Sequence, residues 1–221
     1  MAAHRSGQIS SVKPIVTDAR RRYAGGGMFN DLSSPLNYLE TRRSGKAREM
    51  VGPGPTPEEL QRIVALAART PDHGKLAPWR FVIVDREERE EFALLLRRAL
   101  AENDPCATPA HHNKADEFAR QGEAMLVLLS AAVIGHKVPV WEQELSCGAV
   151  GMNLLHAAHA MGFVGSWLTG WAAYDPTVRA AFCLGDERIA GFFFFGSPGN
   201  ELVERPRPDL ARVVRRWLPP A

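Results

Sequence analysis

Cysteine is scarce here: Cys106, Cys147 and Cys183 are widely spaced and odd in number among 221 residues. They form no Cys-x-x-Cys pair, no zinc spacing and no disulfide framework, so they read as small buried hydrophobes in a reducing compartment. Excess charge of one sign is missing too. Against 27 Lys and Arg stand 25 Asp and Glu, a net charge of +2 that gives no global signal for nucleic acid. No apolar run reaches the ~20 residues of a membrane span or has the form of a secretory core. A cytoplasmic protein without membrane or nucleic-acid partners is expected. No Gly-x-Gly-x-x-Gly follows a strand pattern, which leaves a Rossmann dinucleotide site unsupported. Ser44 and Ser166 lack the Gly-x-Ser-x-Gly setting of a serine hydrolase. Gly25-Gly26-Gly27 is not a phosphate loop, because no strand precedes it and no helix with Lys-Ser/Thr follows.

What the chain has in abundance is burial signal between Trp141 and Gly170. After Glu144 this stretch holds no formally charged residue, and apolar residues fall on more than one face at helical spacing. It predicts a central helix, in the core or at a subunit interface, running to about Met161 and stopped by Gly162. Phe163-Val164-Gly165 reads as a turn, followed by Ser166 to Gly170 as a short strand or loop near a ligand. Gly148 and Gly151 are expected to admit a second backbone.

Around this centre the chain divides unevenly. Residues 1–34, with Arg20-Arg21-Arg22, the three glycines and few large apolar residues, read as a mobile N-terminal extension. Residues 35–221 read as a single domain with a C-terminal extension. Pro35 to Leu39 predicts a short apolar turn. Thr56-Pro57-Glu58-Glu59 is a helix start of strong capping character, leading to a helix to about Arg69. Buried strands are predicted at 80–84, 124–133 and 188–196, with helices at 86–101, 114–123 and 176–182 and a polar linker at 103–113. Strands and helices alternate without a clean repeat, which favours α+β over a doubly wound sheet.

Two basic groups stand out. Arg42, Arg43 and Ser44 combine guanidinium forks with a hydroxyl, a natural clamp for a phosphate or the polar edge of a heterocycle, though a solvated surface explains such a cluster as well. Arg205 and Arg207, fixed by Pro206 and Pro208, form a second such group. If the two meet, one anion is held from both ends. His73 with Asp72 and Lys75 offers polar contacts to a ring or simply a solvated loop. His156 and His159, at i and i+3, have no third ligand in view and read as hydrogen-bonded interior histidines rather than a metal site. Trp79, Trp141, Trp167 and Trp171 are core or interface anchors, Trp167 also a wall for a stacked planar group.

Together these pieces resemble the nitroreductase-like FMN-dependent oxidoreductases, in particular the small, compact branch. The resemblance spans roughly Leu39 to Pro208. It rests on Arg42-Arg43-Ser44, on Arg69-Thr70-Pro71-Asp72-His73 ahead of Pro78-Trp79, and on His136 to Glu144. Gly162-Phe163 leading to Trp167-Leu168-Thr169-Gly170, and Gly191-Phe192 with Gly196-Ser197-Pro198, complete it. It implies an α/β sandwich with a largely antiparallel central sheet, a long buried helix at the interface of a homodimer, and FMN bound between subunits. By that pattern Arg42, Arg43 and Ser44 grip the phosphate and the flavin's polar edge, and Arg205 or Arg207 joins the clamp. Arg69 and His73 reach the flavin or its ribityl chain from the partner. Trp167, Leu168 and Thr169 line the ring.

The implied activity passes hydride from NADH or NADPH through the flavin N5 to an electron-poor acceptor such as a nitroaromatic or quinone, in ping-pong order. It needs no protein nucleophile, no metal and no named catalytic acid. Removal of a substituent, oxidation of a biosynthetic intermediate, or weak turnover by a flavin-binding protein are the alternatives. Two positions depart from the pattern: Lys75 and Ala77 stand in a loop where many relatives carry an amide, and Leu168 stands where the small branch often has a charge.

Overall fold

A computed structural model describes residues 29–218. The expected N-terminal extension therefore lies outside the described residues except for 29–34. The organising strand is β5 (Arg188–Pro198), with which three others pair. These are β1 (Met50–Val51), β3 (Ala124–Ser130) and β4 (Val164–Leu168). β2, Trp79–Val84, pairs with β3, giving the order β1-β5-β3-β2 with β4 also on β5; every pairing is antiparallel. β3 occupies one edge of β5, so β4 and β1 follow one another along the other: Val164 to Leu168 oppose Gly196 to Phe192, and Met50 and Val51 oppose Pro198 and Ser197.

The run Phe192-Phe193-Phe194-Phe195 shows why the sequence lacks alternation here. Successive strand residues point to opposite faces, and both faces are covered. Phe192 and Phe194 join Met125, Val127 and Leu129 beneath α3 (Arg89–Asn103) and α4 (Pro109–Arg120). Phe193 and Phe195 join Leu126 and Leu128 beneath α2 (Pro57–Ala67) and α5 (Val140–Ala160). All four phenylalanines are fully buried, each contributing ~1.5–3 kcal/mol by leaving water. The result is the expected α+β sandwich, with the sheet between two helical layers. The remaining helices among the described residues are short: α1 (Pro35–Thr41), α6 (Pro176–Phe182) and α7 (Leu210–Val213).

The helix starts follow the sequence. Thr56 and Glu59 exchange capping bonds of 3.2 and 2.9 Å at the head of α2. The Asp175 carboxylate accepts from the amides of Thr177 and Val178 at the head of α6. Gly162, at φ 84°, ends α5 where expected.

Other expectations need correction. The linker at 103–113 is mostly helix, because α4 starts at Pro109. Thr108 caps it, with His111 filling the place normally taken by Glu or Gln. Only Ala115 and Ala119 of α4 are buried, so its inward face carries no strong apolar signal. Phe163-Val164-Gly165 does not turn; β4 begins at Val164. Pro35 to Leu39 is part of a helix, held by the Ser34 cap on the Asn37 amide at 3.1 Å. The third buried strand is two residues longer than expected, and the first turn after Asp85, Arg86–Glu88, is 3-10 before α3 begins.

Within the chain α5 is buried on one face along its first half and on more than one face at its end, where Leu154, Leu155, Ala157, Ala158 and His159 are all buried. Val150, Leu154 and Ala158 are sealed in the core, whereas Trp141 and Leu145 are 67% and 53% exposed. What approaches Gly151 is a side chain and not a second backbone: a Cβ there would stand 2.8 Å from the Trp167 ring.

Candidate functional site

The first piece of the site follows α1. Arg42 is the residue that ends this helix, and its Nη1 donates to the Ser44 hydroxyl at 3.4 Å. Arg43 is fixed from two directions. Its amide and carbonyl bond to the side chain of Asn30, which is fully buried at φ 56°. Its Nε donates to the carbonyl of Val203 at 2.8 Å, so the segment bearing Arg205 and Arg207 lies against it. The two basic groups meet.

Glu204 stands between them. Its carboxylate accepts from the Arg205 amide at 2.8 Å and from Arg207 Nη2 at 2.9 Å, and lies 3.8 Å from Arg43 Nε. The amide bond from Arg205, followed by the nearby arginines, holds the Glu204 carboxyl below its usual range. Burial is the main cause lowering the Arg43 pKa; Glu204 opposes that, while Arg207, Arg205 and Arg42 reinforce it. Four guanidinium groups with a single carboxylate among them give this corner an excess of positive charge, a donor set that suits an anion.

The second piece is the loop from Arg69 to Pro78, and it is pinned to α5. Asn153 donates to the Thr70 hydroxyl at 2.6 Å, Ser146 donates to the carbonyl of Pro71 at 3.1 Å, and His73 Nδ1 lies 2.7 Å from Glu142. The Asp72 carboxylate accepts from the amides of Leu76 and Ala77, which stabilises the positive φ angles at Lys75 (56°) and Ala77 (46°). Arg69 and His73 are exposed.

The third piece is the end of β4. Trp167 stacks on Phe193 with centroids 5.1 Å apart and donates to the carbonyl of Ala190 at 3.0 Å. Its indole is therefore a wall as well as a core element. Leu168 packs partly into the core. Trp167 and Thr169 line a cavity of about 360 Å³, whose polar rim includes Glu144, Tyr174, Arg179 and Arg188. Glu144 and Arg188 are ion-paired across it.

β4 joins the first and third pieces. Gly45 abuts Val164 so closely that a Cβ would meet its Cγ2 at 2.8 Å, and Thr169 lies five residues further on, roughly 17 Å at strand rise. That geometry suits a long ligand with an anionic end and a planar end. The second piece runs along α5. His73 is held at Glu142, fourteen positions before His156, about 21 Å at helical rise, whereas Thr70, beside Arg69, is held at Asn153, three positions before His156, where α1 is attached. Among the described residues, no three His, Cys, Asp or Glu side chains gather as metal ligands. His156 and His159 are indeed hydrogen-bonded interior groups, both to Tyr38.

The nitroreductase family model matches residues 39–197, which takes in Arg42 to Ser44, the Arg69 loop and β4. The chain belongs to the nitroreductase family, an oxidoreductase family. An Escherichia coli (strain K12) relative named "Putative NAD(P)H nitroreductase YdjA" is 36% identical over 168 residues, 74% of this chain and 87% of that protein. The crystal structure of a nitroreductase-like family protein from Bacillus cereus has a TM-score of 0.72 at 18% identity, covering 84% of this chain and 96% of its own. An FMN- and NADPH-dependent nitroreductase, NfnB, from sphigopyxis sp. strain HMH has a TM-score of 0.64 at 20% identity over 83% of this chain and 99% of its own. These two structures share the nitroreductase fold with the chain.

Sequence reasoning missed Glu204, Asn30, Tyr38 and the anchors Glu142, Ser146 and Asn153. Glu204 had a local signal, a carboxylate set among Arg205 and Arg207. The others are defined by partners distant in sequence.

Proposed function

We propose that this nitroreductase-family chain works as a homodimeric, cytoplasmic FMN enzyme that moves electrons from NADH or NADPH to an electron-poor acceptor such as a nitroaromatic or quinone. The observation that carries the reading is the meeting of Arg42, Arg43 and Ser44 with Arg205 and Arg207 at one end of β4, opposite Trp167 and Thr169 at the other. The donor set fits FMN: guanidinium forks and a hydroxyl for the phosphate, and an aromatic wall for the ring. Bound FMN supplies the redox chemistry, accepting hydride and returning electrons.

The chain's own residues bind and orient. Arg42 and Ser44 hold the anionic end, with Arg43, Arg205 and Arg207 adding positive potential. Trp167, Leu168 and Thr169 form the wall for the planar end, and the adjoining cavity lies in the size range of small-molecule sites. No side chain is assigned as a catalytic acid. Arg69 and His73 complete the site from a second copy, a reading supported by the exposure of both side chains and, for His73, by the ~21 Å along α5 between its anchor at Glu142 and that of α1 at His156. The exposed Trp141 and Leu145 on α5, with Val133 and Ile134 beside its start, are the apolar surface such a dimer would cover. Three free cysteines accord with a reducing compartment.

The test is an absorbance spectrum of the purified protein, followed by anaerobic mixing with NADH and with NADPH. Flavin bands that bleach rapidly, and return on adding a nitroaromatic or quinone, are the expected result. A colourless chain that cannot be loaded with FMN overturns the proposal.

A further inference from the structure

α1 carries Arg42 at its end, yet none of its residues is fully buried. Its link to the core is polar. The Tyr38 Oη lies 2.8 Å from His156 Nδ1 and 2.9 Å from His159 Nδ1, with the phenol edge-on to both imidazoles. Tyr38 and Arg42 are one helical turn apart (i, i+4), on the same side of α1, and the charge of Arg42 acts on Tyr38, His156 and His159 alike.

The protons in this bridge have one consistent arrangement. His159 Nε2 accepts from the main-chain N–H of Gly165 at 3.4 Å. A neutral His159 then carries its proton on Nδ1 and donates it to Tyr38 Oη. Tyr38 must donate its own proton to His156 Nδ1, which leaves the His156 proton on Nε2. Burial keeps His159 neutral, lowering its pKa to about 3, and lowers that of His156 in the same direction. The direction of the chain is thus set by a backbone amide of β4 and ends beside the guanidinium that begins the donor set for an anion.

We infer that Tyr38 is a positioning residue for Arg42: by bridging His159 and His156 it fixes α1 on α5, and so sets the guanidinium at the phosphate end of the FMN site. This inference rests on the FMN reading above. It predicts a phenotype specific to the phosphate, since Trp167 and Thr169 at the ring end do not depend on α1.

The experiment compares binding of FMN and of riboflavin, which lacks the phosphate, to the full chain and its variants by quenching of flavin fluorescence. Tyr38→Phe keeps the ring and removes the bridge. It should weaken FMN roughly 3- to 10-fold, the worth of one net hydrogen bond, while riboflavin affinity stays within about 2-fold. His156→Leu should reproduce that loss, and His156→Gln, which still offers an acceptor to the phenol, should restore it. Equal weakening of both flavins, or an unchanged FMN-to-riboflavin ratio in Tyr38→Phe, overturns the inference while leaving the FMN reading intact. A wild-type chain that binds neither flavin overturns both. Should Tyr38→Phe fail to fold, imidazole nitrogen signals of the wild type decide: His159 must show the Nδ1–H tautomer and His156 the Nε2–H tautomer, and the opposite pattern overturns the bridge.

Discussion

Arg89 and Arg43 begin from the same physics and end in opposite roles. Each guanidinium is drawn out of water, and burial is the leading cause lowering each pKa, to about 10 for Arg89. Arg89 is satisfied within the chain. It donates to the carbonyls of Val84, Ala119 and Gln121 at 3.3, 2.9 and 3.2 Å and lies over the Phe194 ring at 5.8 Å. Arg43 donates to one carbonyl, shares a single carboxylate, and has three further arginines around it. A cation whose donors are used up ties loops to a sheet. Cations crowded together around one carboxylate are held at an energetic cost that an incoming anion relieves.

Substitutions can break that comparison from either side. The largest effect is expected at the structural site: Arg89→Met leaves three carbonyls without their donor and should cost about 3 kcal/mol. Thermal unfolding would show a Tm roughly 6–12 °C lower, with FMN affinity of the folded protein unchanged. If FMN affinity fell with stability, the two sites would not be separate.

Arg42→Ala reverses the pattern. It should weaken FMN binding by roughly 1.5–3 kcal/mol, the range for a hydrogen bond to a charged group, with little change in the Tm of the cofactor-free protein. An unchanged FMN dissociation constant would remove Arg42 from the clamp.

Acid sharpens the comparison through His159. Its folded pKa of about 3 is depressed below the ordinary 6.5, so the unfolded chain binds the proton more readily. Stability from keeping this ring neutral is complete above pH 6.5 and is lost progressively as pH falls towards 3. Across the middle of that window one proton is taken up on unfolding, a slope of about 1.4 kcal/mol per pH unit. Urea melts at several pH values should show the slope, and His159→Gln should lack it.

The smallest effect belongs to the exposed carboxylate. Glu204→Gln frees Arg43 and Arg207 for phosphate and should tighten FMN about 2- to 5-fold at low salt, the gain shrinking as salt rises. Weaker binding would mean that Glu204 orients the arginines more than it competes for them.

How much of this is legible in the sequence depends on where each residue finds its partners. β3 and β5 are readable because a strand enclosed by other layers cannot carry charge along its buried stretch, and Met125 to Leu129 and Phe192 to Phe195 carry none; α5 is readable from Leu145 on for the same want of charge. Caps are readable because they are local: Thr56 needs only Glu59, and Asp175 only the two amides that follow. α4 escapes because alanines bury its face, and α1 because it buries no residue completely. In the site, Arg42 to Ser44 and Arg205 with Arg207 are each visible as basic groups. Their meeting is not, since the bond from Arg43 to Val203 joins residues 160 positions apart. Tyr38 reaches His156 across 118 positions, and nothing near either residue signals the pair. Glu204 is the intermediate case, a local charge whose meaning depends on Arg43.

The central position of β5 also governs when the sheet can exist. During synthesis, β3 emerges with β2 as its only strand neighbour, and its other edge stays open until residues 188–198 have been made. From Ser130 to Arg188 the ribosome adds 58 residues, roughly 3 to 12 s at the usual pace. Over that interval an apolar strand edge lacks its native partner, and β1 and β4 have none at all. The nascent chain is therefore most vulnerable to intermolecular pairing just before its four phenylalanines appear.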